Sequence, residues 1–163
     1  MSADSKVLNI SHIHLNCSDL QRSIAYYRLL GFQLDRIISD IPMQAEDLAS
    51  LDQIPTYTAP EGVCLCVGMG LGSDPRATTR LELMQWLEPA KAPALATPSD
   101  HLGLVRVALS VKNLAGIAQT LKEEGHPVDA IETTDVSPKL SSAFAHAHDP
   151  DGTWLTLMEW IKR

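Results

Sequence analysis

An α+β fold built from two tandem βαβββ modules, whose curved sheets form a cleft, is what this 163-residue sequence predicts. Three observations carry the prediction. A strand-like alternation followed by an amphipathic helix that stops on glycine occurs twice. The two occurrences stand at a constant separation, and one closing pattern of leucines and methionine leading to tryptophan ends both halves.

The elements follow in order. From Ile10 to Cys17 residues alternate, which suits a strand with His12, His14 and Asn16 on one face and Ile13, Leu15 and Cys17 on the other. Asp19 offers a helix cap, Leu20, Ile24, Tyr27 and Leu30 recur at helical spacing, and Gly31 suits the left-handed conformation that ends helices. Phe32 to Ile38 reads as a second strand. Pro42, Pro55 and Pro60 bracket a polar stretch, so residues 40–60 read as an insertion with a short helix around Ala45 to Leu51. Val63 to Met69 is a third strand, a glycine-containing connection runs to Thr78, and Arg80 to Leu87 is a fourth strand with Glu82, Met84 and Trp86 on one face. Residues 89–102 carry prolines and no periodicity, as a linker would.

The second half repeats the order. Leu104 to Val111 is a strand, Leu114 to Glu124 a helix closed by Gly125, and His126 to Ile131 and Ala143 to His148 are strands. Asp149-Pro150-Asp151-Gly152 is a hairpin turn before a last strand from Thr153 to Trp160. Asp19 and Asn113, Leu20 and Leu114, and Gly31 and Gly125 all stand 94 residues apart, whereas Leu81 to Trp86 and Leu155 to Trp160 stand 74 apart. The first copy is therefore longer, mostly through the insertion. The chain reads as one domain over 1–163, with a first module over 8–88 and a second over 103–163. Two copies are too few to propagate as an array and are better read as a pseudo-twofold pair.

A composition of 45% hydrophobic and 20% charged residues is that of a globular chain with one substantial core. The net charge of −7 and the scattering of the 13 basic residues argue against nucleic acid as a partner. No apolar run is long enough to cross a bilayer, and the first dozen residues lack a leader pattern, which points to the cytoplasm. The three cysteines fit no disulfide framework. Cys64 and Cys66, in an apolar run, read as buried and inert, the alternative being a soft-metal pair.

With that organisation in place, His12, Asp19, Ser23, Tyr27, Leu30-Gly31-Phe32, Leu81-Glu82-Leu83 and Asp149-Pro150-Asp151-Gly152 resemble the vicinal oxygen chelate superfamily. That superfamily holds glyoxalase I, methylmalonyl-CoA epimerase, extradiol dioxygenases, fosfomycin-resistance enzymes and bleomycin-resistance binding proteins. The resemblance covers essentially the whole chain and implies a small-molecule cleft and, by analogy, a homodimer. In metal-dependent members each module gives one ligand from its first strand and a glutamate from its last.

On that pattern His12 and Glu82 match the first module's ligand pair for Mn, Fe, Ni or Zn, while the offsets carry them to Arg106 and Thr156 in the second. Arginine offers only donors and repels a cation, and a threonine hydroxyl is a poor substitute for a carboxylate. A standard four-ligand site is not expected unless His14, or His146 and His148, come in. Arg106 would instead take the place of the metal's charge and pair with Glu82. Either the two satisfy each other in the interior, or Arg106 binds a substrate oxyanion while His12 or His14 moves a proton. Asn16, Met84, Trp86, Thr156, Met158 and Trp160 are expected around the ligand or else packed as core. His101 and His126 read as surface.

Two functions stand on this reading. One is an enzyme of the lyase, isomerase or ring-cleavage kind acting on an oxygenated metabolite through Glu82, His12, Arg106 and His14. The other is a metal-free protein that binds a small molecule or antibiotic.

Overall fold

A computed structural model describes residues 7, 9–44, 63–72, 79–88 and 103–163. Ten elements follow in chain order: β1 (His12–Cys17), α1 (Leu20–Leu29), β2 (Gln33–Gln44), β3 (Val63–Gly70), β4 (Arg80–Glu88), β5 (Val107–Ser110), α2 (Leu114–Glu123), β6 (Glu132–Ser137), β7 (Leu140–His148) and β8 (Trp154–Lys162). The βαβββ order thus occurs twice, as expected. The short helix around Ala45 to Leu51, most of the 40–60 insertion, the linker 89–102 and His101 lie outside the described residues.

Two four-stranded sheets result, ordered β1-β4-β3-β2 and β5-β8-β7-β6. In each, the first strand lies parallel to the last and the other pairs are antiparallel. The parallel pairing needs a crossover, which the helix and the intervening strands supply. The registers are equivalent: His14 pairs with Glu82 on β4, and Ala108 pairs with Thr156 on β8. These pairs are related by the same separations, 94 and 74, that the sequence displays.

The chain divides into two compact units, Met1–Ile24 with Gly31–Lys91, and Ala25–Leu30 with Ala92–Arg163. Within the first, Leu15, Cys17, Leu20, Ile24, Leu81 and Leu83 are buried. Within the second, α2 packs on β7 and β8. Its buried Leu114, Ala118 and Leu121 accompany Leu155, Leu157 and three alternate alanines of β7, Ala143, Ala145 and Ala147. Side chains that small let a helix approach the sheet closely.

Helix starts are secured in the same way in both units. Asp19 Oδ1 accepts from Arg22 N at 3.0 Å, and Asn113 Oδ1 accepts from Gly116 N at 3.2 Å. A side chain of the last strand adds a second acceptor: Gln85 Oε1 takes Leu20 N at 2.9 Å, and the Glu159 carboxylate takes Asn113 N at 2.8 Å and Leu114 N at 2.9 Å. Gln85 and Glu159 are repeat equivalents. The second unit also holds a buried latch, where Tyr27 Oη donates to Asp149 Oδ2 at 2.8 Å. The other oxygen of Asp149 accepts from Asp151 N and Thr153 N at 3.0 and 2.7 Å, so the expected turn at 149–152 is built around this carboxylate.

Several expected boundaries move. The second strand does not end at Ile38 but continues to Gln44, so residues 40–44 are strand rather than insertion. Pro42 is tolerated because β2 is an edge strand and its register is broken between Ser39 and Met43. The strand expected at His126 to Ile131 is reduced to an isolated bridge between Val128 and Ala147, and β6 lies later, at Glu132–Ser137. Every β6 residue is exposed, so it carries no apolar alternation. The strand expected from Ala143 begins at Leu140, and His126, expected at the surface, is half-buried with its ring edge-on to Tyr26 at 4.8 Å.

The two backbone bonds to Glu159 hold its pKa below the ordinary 4.5. A lowered folded-state pKa means the carboxylate's stabilisation is whole above pH 4.5 and is lost as pH falls through the folded value. Glu159→Gln is therefore expected to melt below the parent at neutral pH, and the two melting temperatures should converge below pH 4.5, as followed by circular dichroism.

Candidate functional site

The face of the first unit's sheet that carries Glu82 is assembled by strand parity. From β1 it takes His12, His14 and Asn16, from β4 Arg80, Glu82, Met84 and Trp86, and from β3 Cys64, Cys66, Gly68 and Gly70. Glu82 is 4% exposed, an unusual burial for a carboxylate. Its Oε2 lies 3.6 Å from His12 Nε2 and has no hydrogen-bond partner among the described residues. His14 stands directly opposite Glu82 in register. The structure thus brings His12, His14 and Glu82 to one place.

The neighbouring expected pocket residues are engaged in packing and bonding. Met84 is fully buried in a cluster with Cys64 and Cys66, against which Ile38, Met43 and Trp86 pack. The Trp86 indole Nε1 donates to Asn16 Oδ1 at 3.0 Å. No cysteine forms a disulfide. Burial first, then the Glu82 carboxylate and Cys64, push the Cys66 thiol up to about 12, and burial raises Cys64 as well, so both stay protonated and unreactive at neutral pH.

A β-bulge supplies charged groups that the strand pattern conceals. The register of β2 slips between Leu34 and Arg36, so Asp35 is the extra residue. Its carboxylate lies over Gly70 and pairs with Arg80 at 2.5 Å, while Arg36 Cβ lies against Gly68. Gly70 is required there, because a Cβ at that position would stand 2.4 Å from Asp35 Oδ2. Arg80 is next to Glu82 along the same face of β4 and opposite His12 on β1.

The equivalent face of the second unit is different. Phe144, His146 and His148 on β7 stand opposite Met158, Thr156 and Trp154 on β8. His146 therefore shares the Thr156 face, a question of register that sequence alone left open. His146 Nδ1 and Thr156 Oγ1 share a hydrogen bond of 3.1 Å, and Thr156 is buried. Met158 is half-buried and Trp160 is 51% exposed at the far end of the row. Arg106 stands one residue before β5, exposed and with no ion pair among the described residues.

A match to the model of the Glyoxalase/Bleomycin resistance protein/Dioxygenase superfamily covers residues 9–157. The chain belongs to this superfamily. Among solved structures it resembles a glyoxalase family protein from Bacillus cereus, with a TM-score of 0.73 and 17% identity over 99% of both chains. A glyoxalase family protein from Enterococcus faecalis gives 0.56 and 23% over 93% of this chain and 97% of the other. Glyoxalase I from Zea mays gives 0.60 and 20% over 91% of this chain and 43% of the maize chain. These likenesses are of fold. No curated protein matches.

The superfamily's divalent-metal site can be tested against these residues. Of the four positions that match ligands, His12 and Glu82 are donors, Arg106 cannot coordinate, and the Thr156 hydroxyl is bonded to His146. Among the described residues no three of His, Cys, Asp or Glu gather into a group able to hold a metal ion. The residues do not fit a standard four-ligand site.

The crowding at Gly70 sets an expected outcome. Gly70→Ala should destabilise the chain by about 1–3 kcal/mol by driving a methyl group into the Asp35 carboxylate. Urea denaturation should show most of that loss disappearing in the Asp35→Ala background, where the obstructing carboxylate is gone.

Proposed function

We propose that this superfamily member acts on a small oxygenated molecule by metal-independent proton transfer, chemistry of the lyase or isomerase kind, with Glu82 as the proton acceptor. The observation that carries this is the buried Glu82 oxygen, which has His12 Nε2 at 3.6 Å and no hydrogen bond among the described residues. Burying a carboxylate acceptor unmet is unfavourable, and a substrate C–H or O–H presented to it would meet the need.

In the simplest step, Oε2 takes a proton from a carbon next to a carbonyl. The C–H electron pair becomes a C=C bond and the carbonyl pair moves to oxygen, giving an enolate. Return of a proton to the neighbouring atom completes an isomerisation with nothing consumed. His12, beside Glu82, and His14, opposite it in register, are assigned the second proton movement. Arg106, the repeat equivalent of His12, is assigned the substrate's anionic oxygen. A small-molecule partner follows from this reading, and the homodimer implied by the family resemblance is checked by light scattering.

Glu82→Gln tests the reading. Exchange of substrate hydrogen for deuterium, followed by NMR across a panel of α-hydroxy and α-oxo carbonyl compounds in D2O, should fall about 10²- to 10⁴-fold in the variant while its melting temperature is kept. Undiminished exchange in a folded variant would remove Glu82 from the role.

A second reading, a protein that binds its ligand without changing it, is favoured by the row of aromatic side chains in the second unit. It expects saturable binding that Glu82→Gln leaves intact, with unaltered ligand recovered on denaturation. Recovery of a changed compound would exclude it.

A further inference from the structure

The face of β7 turned away from α2 carries more than packing requires. Phe144, His146 and His148 alternate with the three alanines that serve the helix. With Trp154 of β8 they form a continuous row of rings. Phe144 and His146 centroids are 5.8 Å apart, His146 meets Trp154 edge-on at 5.6 Å and 71°, and His148 stacks on Trp154 at 5.9 Å and 25°. His148 is exposed, and His146, Phe144 and Trp154 are half-buried. The indole Nε1 of Trp154 is buried and has no hydrogen-bond partner among the described residues.

Aliphatic side chains would cover a sheet face without placing imidazoles on it, so the choice of rings calls for a ligand-binding explanation. Charge points in a consistent direction. Continuing the β5–β8 register by one step sets Arg106 beside Trp154. In a chain of net charge −7, this face gathers a guanidinium and two imidazoles. The one carboxylate at its margin is Glu132, opposite Phe144 on β6 and exposed. Flat π-faces suit a flat ring, and the basic groups suit a negative charge on it.

We propose that this face of the second unit binds a planar aromatic ring carrying an anionic group, the ring against the His146, Trp154 and His148 row and the anion toward Arg106. The proposal rests on reading the chain as a small-molecule protein and names the class of molecule.

The test titrates 2-naphthoate into the full chain and follows the imidazole and indole ring signals by NMR, with 2-naphthamide and cyclohexanecarboxylate as the uncharged and non-planar comparators. The ring signals of His146, His148 and Trp154 should shift together and saturate, with 2-naphthoate bound about tenfold more tightly than either comparator. Trp154→Leu should weaken 2-naphthoate about tenfold, whereas Trp154→Phe, which keeps a ring, should retain most of the binding. Arg106→Gln should bring 2-naphthoate down to the level of 2-naphthamide and leave the amide unchanged. The proposal is overturned if 2-naphthoate moves none of the three rings, if cyclohexanecarboxylate binds as well, or if Arg106→Gln weakens acid and amide alike. Should Trp154→Leu fail to fold, Trp154→Phe and Arg106→Gln decide. Glu82→Gln should bind 2-naphthoate like the parent, so full hydrogen exchange in that variant would sink the catalytic reading while the ring shifts still judge this one.

Discussion

In each unit a side chain from the last strand reaches back to the first N–H of the unit's own helix, Gln85 to Leu20 and Glu159 to Leu114. Helix termini leave N–H groups that need acceptors, and here the acceptor comes from the strand that must lie parallel to the first one. The bond ties the crossover to the strand it crosses toward. Once β1 is held beside β4 in one register, His14 faces Glu82 and His12 falls close enough to approach it. A slip by one residue would turn that whole row to the opposite face of the sheet. The placement of the candidate site therefore follows from how the helix is capped as much as from the residues in the site.

The same scaffold holds different chemistry in its two copies. In the first unit the face contains a histidine, a buried glutamate and an arginine neutralised by Asp35. In the second, the position of Glu82 is taken by Thr156, whose hydroxyl is bound by a histidine from the adjacent strand, and the position of His12 is taken by Arg106. Gly68, opposite Glu82 on β3, corresponds in register to His146, opposite Thr156 on β7. Where one copy leaves room beside its carboxylate, the other fills the room with an imidazole. The duplication has been retained in backbone register and abandoned in donor chemistry, which is why membership of a metal-binding superfamily does not bring a fitting donor set with it.

Much of this was legible in the sequence because the informative strands are half-buried. Leu81 to Trp86 and Leu155 to Trp160 alternate, their helices carry apolar stripes, and Gly31 and Gly125 both take positive φ where the helix stops. Two kinds of feature escaped. Edge strands gave no sufficient pattern: β6 is exposed along its length, and β2 runs through a proline that a central strand would not accept. Features created by register escaped as well. The bulge that brings Asp35 and Arg36 over the glycines of β3 leaves no periodic trace, and the side on which His146 lies depends on its pairing with Thr156. Conversely, Met84 sits on the expected face yet belongs to the packed cluster around Cys64 and Cys66, since parity tells direction and not accessibility.

The Tyr27 to Asp149 bond bears on where this polypeptide can be divided. Ala25–Leu30 is covalently part of the first repeat but belongs to the second compact unit, with Tyr26 and Tyr27 fully buried there. A fragment begun at residue 103 would contain every strand of the second repeat and still lack the two phenol rings that complete its interior. The turn carboxylate of Asp149 would lose its only side-chain donor at a site closed to water. The covalent repeat and the unit of cooperative folding therefore have different edges, and the half-chain that a recombination event would copy is not the half-chain that could stand alone.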